Sequence, residues 1–262
     1  MNIIFDLDKT LIHSISEDQF TDMKDISEFC ILKLKDISYL TYKRRYYDIL
    51  LDYCFNNFKV GFWSAGTPSY ILPIIKNIVS KENFKKITII LGRTKYTKKY
   101  TIYQNHLTKK KYKINNYNDN IVKSLDLLYE NKDFKRIFNK KNTLLVDDYS
   151  HNISINKLNS IHIPAFCSNK QDNILLDLLL WLIKNKNKKN IQRCSKDYYT
   201  YDIESYNCRD KKNSNKYGLG EYIKYNNKYG VIININNNNT YNIILYDTFK
   251  IINNVKYSNI HY

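Results

Sequence analysis

The stretch Ile3-Ile4-Phe5-Asp6-Leu7-Asp8-Lys9-Thr10-Leu11-Ile12-His13-Ser14 decides the fold. Its short apolar run, Ile3 to Phe5, reads as a buried strand that delivers Asp6 and Asp8 to its carboxyl end, with the hydroxyl of Thr10 just beyond. In open α/β sheets, ligands bind outside the carboxyl ends of the strands. Two carboxylates one residue apart at such a place can hold a hard cation and still offer an oxygen for chemistry. Alone, Asp-x-Asp equally describes an edge strand running into an acidic turn, so the reading depends on what lies downstream.

Each downstream partner follows an apolar run. Lys59-Val60-Gly61-Phe62-Trp63 leads into Ser64-Ala65-Gly66, Ile121-Val122 precedes Lys123-Ser124, and Thr143-Leu144-Leu145-Val146 ends in Asp147-Asp148. The order Asp-x-Asp-x-Thr, Ser, Lys, Asp-Asp matches the haloacid dehalogenase superfamily of phosphatases. The wording resembles one branch, the Fcp/Scp family of RNA polymerase II C-terminal-domain phosphatases. The matching pieces are Asp6 to Ser14, Tyr42-Lys43-Arg44-Arg45, Phe62-Trp63-Ser64-Ala65-Gly66-Thr67-Pro68-Ser69-Tyr70, Val122-Lys123-Ser124-Leu125 and Val146-Asp147-Asp148. Ile161-His162-Ile163-Pro164-Ala165-Phe166, then Asp172-Asn173 and an apolar helix, resembles the end of that domain. The resemblance spans about residues 1 to 185 and implies a Rossmann-like α/β domain with a small insertion.

The chemistry follows from charge. A free Asp titrates near ~4, so Asp6 is expected to be ionised at neutral pH and needs no base to act as a nucleophile. Its obstacle is repulsion by a phosphate dianion, which a bound Mg²⁺ and the Lys123 ammonium would remove. By resemblance, Asp6 gives the ion a carboxylate oxygen, Asp8 its backbone carbonyl and Asp148 a second carboxylate, with Asp147 alongside through water. Asp8 would then be free to protonate the leaving serine oxygen and deprotonate the attacking water, which requires its pKa to be raised by neighbouring carboxylates. Ser64 would bond a phosphate oxygen and Thr10 would pin the loop. The resemblance thus implies a Mg²⁺-dependent phosphoserine/phosphothreonine phosphatase working through an aspartyl-phosphate on a phosphorylated, disordered peptide such as the polymerase C-terminal repeat. A phosphatase of nucleic-acid ends or of a small metabolite is the alternative within the same chemistry. A catalytically idle phosphopeptide- or chromatin-binding module is the alternative outside it. Lys9 stands where relatives carry an acidic or small residue, Ser64 replaces Thr, and Tyr149-Ser150 replaces Ser-Pro. No chemical group is lost by these departures.

With 262 residues the chain can hold one ordinary domain and a small second one. It has no long uninterrupted apolar run, so no membrane span is expected, and its start lacks the basic and apolar regions of a signal peptide. Five widely spaced cysteines without Cys-x-x-Cys read as reduced thiols of an intracellular protein. The sequons at Asn152 and Asn238 are then chance matches. A net charge of +17 invites nucleic-acid contact. Abundant Lys, Asn, Ile and Tyr beside only 6 Gly and 3 Pro equally reflect an AT-rich genome, such as that of a large DNA virus.

Strands are predicted at about 3–6, 59–63, 87–91, 143–146 and 160–163, and helices at about 45–56, 68–79, 125–130 and 173–183. Thr67-Pro68 suits a hydroxyl N-cap followed by proline at the first helical position. Between Arg93 and Lys123 lies a basic, tyrosine-rich insertion. By resemblance it forms a small sheet that selects the peptide, with Arg93, Tyr96 and Tyr103 as candidate substrate contacts; a solvated hairpin is the bland reading. Residues 186–217 read as a polar linker. From 218 to 262, short β-like runs broken by Asn-rich turns predict a small barrel of SH3 size, resembling a Tudor domain. There Tyr222, Tyr229, Tyr246 and Phe249 either pack the core or form an aromatic pocket for a methylated lysine or arginine.

Overall fold

The apolar triplet at the amino terminus forms β1 (Asn2–Phe5), and Ile3, Ile4 and Phe5 are wholly buried in it. There follow β2 (Ile12–Ser16), β3 (Phe29–Leu34), β4 (Ile37–Lys43), α1 (Tyr47–Asn57), β5 (Lys59–Trp63), α2 (Pro68–Ile78), α3 (Lys81–Lys86) and β6 (Ile89–Arg93). Next come β7 (Tyr100–Ile102), β8 (Tyr112–Ile114), α4 (Asp126–Tyr129), β9 (Thr143–Asp147), α5 (Ser150–Ile155), β10 (Ser160–His162) and α6 (Ile174–Asn185). The last four strands are β11 (Tyr222–Tyr225), β12 (Lys228–Ile235), β13 (Thr240–Leu245) and β14 (Ile251–Lys256). This computed structural model describes residues 1–16, 29–34, 37–93, 100–102, 112–114, 122–166, 172–193, 195, 221–236, 238 and 240–261. They divide into two units, Met1–Thr200 and Tyr201–Tyr262.

The first unit is built on a sheet in the order β10-β9-β1-β5-β6-β7-β8. Its first five strands are parallel, and β7 and β8 join antiparallel at one edge. Strands buried on both faces need near-continuous apolar runs, and β1, β5, β6 and β9 are composed that way. Fully burying one such side chain contributes about 1.5–3 kcal/mol, so this central layer sets the frame. Helix α6 packs on α1, burying Ile174, Leu175, Leu176, Leu178, Leu179, Trp181 and Leu182.

Several local expectations are corrected. The third strand starts at Ile89 and runs on through Arg93. Proline does open α2, but the Thr67 hydroxyl makes no cap and pairs with the Ser69 hydroxyl, 3.0 Å away. A three-stranded antiparallel sheet, β2-β4-β3, was not anticipated from the sequence.

In the second unit β11-β12-β13-β14 make an antiparallel sheet. After β14 a 3₁₀ turn (Tyr257–Asn259) brings His261 into an antiparallel bridge with Lys224 of β11. The chain thereby returns from the last strand to the first, as closure of a small barrel requires. Ile223, Ile232, Tyr241, Ile243, Leu245, Val255 and Ile260 fill its core.

Candidate active site

Strands β1 and β9 are adjacent and parallel, with Phe5 opposite Val146. Asp6 and Asp147 therefore arrive side by side at the carboxyl edge of the sheet, and the Asp6 N–H donates to the Val146 carbonyl at 2.9 Å. Oxygens of Asp6, Asp147 and Asp148 all lie within 4.8 Å of one another. The Lys123 ammonium sits between two of them, 2.5 Å from Asp6 Oδ1 and 2.7 Å from Asp147 Oδ2. Thr10 Oγ1 lies 3.3 Å from both Asp6 Oδ2 and Asp148 Oδ1. Asp8 Oδ1 accepts the Tyr70 phenol. Ser64 is buried at the end of β5, and its hydroxyl accepts the Gly66 N–H at 3.0 Å. Gly66 has to lack a side chain, because a Cβ there would come within 2.6 Å of the Tyr70 ring.

Arg93 ends β6 exposed at the same edge, its N–H donating to the Gly66 carbonyl at 2.8 Å. Tyr96 and Tyr103 lie outside the described residues. The aromatic candidates belong to the second unit. Tyr222 and Tyr246 stack on each other with centroids 6.3 Å apart, and the Lys224 ammonium lies 5.9 Å from the Tyr229 ring centre. Tyr222 and Tyr229 are exposed rather than core residues.

Four carboxyl groups face one ammonium here, and burial makes the imbalance costly. Burial pushes the Asp6 carboxyl up to about 8; Lys123 opposes the shift and Asp147 adds to it. Without a cation beside it, Asp6 is thus no ordinary carboxyl. Burial alone would lower Lys123, but Asp6 and Asp147 outweigh it and the net shift is upward. Asp148 is raised by burial and then by Asp147. Asp8 is raised first by burial, with Tyr70 and Lys123 pulling the other way and Asp148 only a lesser contributor. Burial, more than carboxylate neighbours, is thus what raises Asp8. An oxygen-only donor set with surplus buried negative charge fits a hard divalent cation such as Mg²⁺.

A pH dependence follows. Asp6 in the folded state titrates near 8, above its ordinary 3.8, so between those values the folded protein holds a proton that the unfolded chain has released. The associated stability is full below the lower value and is lost as pH rises through the upper one. In chelator, the Tm is expected to fall as pH rises from about 5 to about 8.5, and added Mg²⁺ to raise it most at the alkaline end. Thermal unfolding scans across that range check both trends.

The supporting residues escaped the sequence reading. Asn152 and Asn156 stand one turn apart at α5. Asn152 Oδ1 accepts the Lys123 N–H at 3.1 Å while its amide donates to Asp147 Oδ2 at 3.0 Å. Asn156 donates to the Lys123 carbonyl at 2.6 Å and accepts the Leu125 N–H at 2.9 Å. Lys123 is thereby held by its backbone as well as its ammonium. Two asparagines four apart just after Asp147-Asp148 are the available signal in the sequence. Asn156→Ala strands these buried groups and is expected to cost about 1–3 kcal/mol in urea unfolding. From another direction, Arg44 is buried and pairs with Asp172 at 2.8 Å, while Nη1 donates to the Thr10 carbonyl at 3.1 Å. It pins the motif loop to the segment that enters α6.

A parallel sheet with paired acids and a buried lysine at its carboxyl edge is what the sequence resemblance implies. Residues 1–192 match the family described as NLI interacting factor-like phosphatase, and the chain belongs to that family. The CTD phosphatase-like protein 355R of Invertebrate iridescent virus 6 is 30% identical over 154 residues, 56% of this chain and 75% of that protein. Its namesake in Invertebrate iridescent virus 3 is 37% identical over 82 residues, 30% of this chain and only 44% of that protein. Among solved structures, Fcp1, an essential RNA polymerase II CTD phosphatase, aligns with a TM-score of 0.44 at 14% identity, over 77% of this chain and 54% of its own. Fission yeast Fcp1 bound to beryllium fluoride aligns at 0.42 and 14%, over 71% of this chain and 52% of its own. No helix among the described residues is long and apolar enough to cross a membrane.

Proposed function

We propose that the chain is a Mg²⁺-dependent phosphoserine/phosphothreonine phosphatase that acts on a phosphorylated peptide like the polymerase C-terminal repeat. The observation that carries this reading is the Lys123 ammonium lodged between Asp6 and Asp147, with Asp148 beside them. Asp6 and Asp148 would hold the ion, together with the Asp8 carbonyl. Asp147 has both oxygens engaged, by Lys123 and Asn152 and by the Tyr149 N–H, which suits it better to holding the lysine. When bound, the cation supplies positive charge that keeps Asp6 ionised and offsets that of the phosphate.

The residues then divide the work. Asp6 attacks phosphorus, and the bond to the serine oxygen breaks as Asp8 gives that oxygen its proton. The Asp8 carboxylate next takes a proton from water, whose oxygen attacks the aspartyl-phosphate and frees Asp6 and inorganic phosphate. Lys123 neutralises charge on the moving phosphoryl group, and Ser64 would bond one of its oxygens. Viral relatives at moderate identity and the family match support this class of substrate. An intracellular setting, and contacts of this +17 chain with acidic polymers, belong to the same proposal.

The test is phosphate release from p-nitrophenyl phosphate with and without Mg²⁺, then a comparison of phosphopeptides with 3′-phosphorylated oligonucleotides. Mg²⁺-dependent turnover with the peptide preferred is expected. Preference for the oligonucleotide would move the substrate to nucleic-acid ends, and no turnover would remove the enzyme reading.

A further inference from the structure

Lys9 stands directly after Asp8 with its backbone in the left-handed region, φ 62°. A β-carbon makes that conformation unfavourable, and glycine is the residue that adopts it freely. The backbone is nevertheless held on three sides. The Lys9 N–H donates to the Ile12 carbonyl at 2.6 Å, and its own carbonyl accepts the Phe166 N–H at 2.6 Å and Arg44 Nη1 at 3.4 Å. A fixed backbone fixes the direction in which the side chain leaves, and this side chain is exposed. Strained backbone that the surroundings enforce is a reason to ask what the residue does.

The electrostatic setting supplies an answer. Lys123, the cation inside the site, is buried and committed to two carboxylates. Arg44 is likewise buried and paired with Asp172. Lys9 takes part in none of the ion pairs among the described residues. Its charge also reaches His13, which is held below the ordinary histidine range by burial and, after that, by Lys9. Among the described residues Lys9 is thus an exposed cation with no ion-pair partner, one residue from the group that would protonate the leaving serine, and its charge acts on that Asp8 carboxyl.

The geometry points to Lys9 as a specificity residue that receives a second anionic group of the substrate, a carboxylate or phosphate on a residue flanking the phosphoserine being hydrolysed. This rests on the phosphatase reading above. The substrate class narrows accordingly to acidic or multiply phosphorylated peptides. A single exposed ion pair sets the scale, on the order of a three- to five-fold preference.

The experiment compares two phosphopeptides that differ only by Asp against Asn beside the phosphoserine, with kcat and KM measured at low and high salt for the full chain and for Lys9→Gly and Lys9→Arg. The wild type is expected to favour the Asp peptide through KM, and the preference to shrink at high salt. Lys9→Gly should bring the ratio of the two peptides to about one, whereas Lys9→Arg should keep it. Thermal unfolding should show Lys9→Gly folded and no less stable, because the left-handed position suits glycine. Turnover with an unchanged ratio in Lys9→Gly, or no preference in the wild type, overturns the inference while leaving the phosphatase reading standing. Absence of any Mg²⁺-dependent turnover by the wild type, on peptides and p-nitrophenyl phosphate alike, overturns both.

Discussion

Asp6→Asn is expected to lower phosphatase turnover by at least about 10³-fold while the protein stays folded, because the amide keeps the shape and removes the nucleophile. Asp6 is buried and raised in pKa mainly by that burial, so neutralising it also relieves an unfavourable charge. The cation-free variant should therefore lose less stability at alkaline pH than the wild type does. Rate and stability move in opposite directions, which separates a lost chemical group from a damaged fold. Turnover near that of the wild type would show that another group makes the first bond to phosphorus.

Lys123→Met is the second large effect, and it falls on both properties. The lysine is buried and bonded to Asp6 and Asp147, so its removal strands two carboxylates without the ammonium between them. Breaking a buried pair by deleting one partner costs about 3–5 kcal/mol. Here the loss should be largest at alkaline pH, where Asp6 has released its proton, and smaller where Asp6 holds it. Urea unfolding at two pH values measures this directly. Turnover should also fall steeply, since charge on the transferring phosphoryl group goes unmatched. Lys123→Arg keeps the charge but needs more room than a site only 3% exposed provides, and it should recover stability only in part.

The sheet was legible because its strands are short apolar runs ending in polar residues, and periodicity finds such runs wherever both faces are buried. β1, β5 and β9 fall where the pattern put them. The β2-β4-β3 sheet escaped because its strands are only partly buried where described: Ser14, Ile15 and Ser16 are all half-covered, so alternation is weak. The chemically active residues could be read because they sit beside those strand ends. The residues that hold them could not. Arg44 and Asp172 are 128 positions apart, and nothing local in either segment announces a shared ion pair. Asn152 and Asn156 do have a helical spacing, but in a chain so rich in asparagine two of them four apart carry little weight. Tyr70 is a related case. It belongs to the quoted motif, yet only the fold shows its phenol on Asp8 and the missing side chain of Gly66 that makes room for it.

The proposed mechanism places a covalent phosphoryl bond on one side chain, Asp6. Rapid quenching in acid of the protein turning over an isotopically labelled phosphopeptide with Mg²⁺, followed by peptide mapping, tests it most directly. Hydroxylamine-sensitive label is expected on the peptide containing Asp6, and none on Asp6→Asn. Full turnover with no protein-bound label at any quench time, or label mapped to another residue, would contradict it.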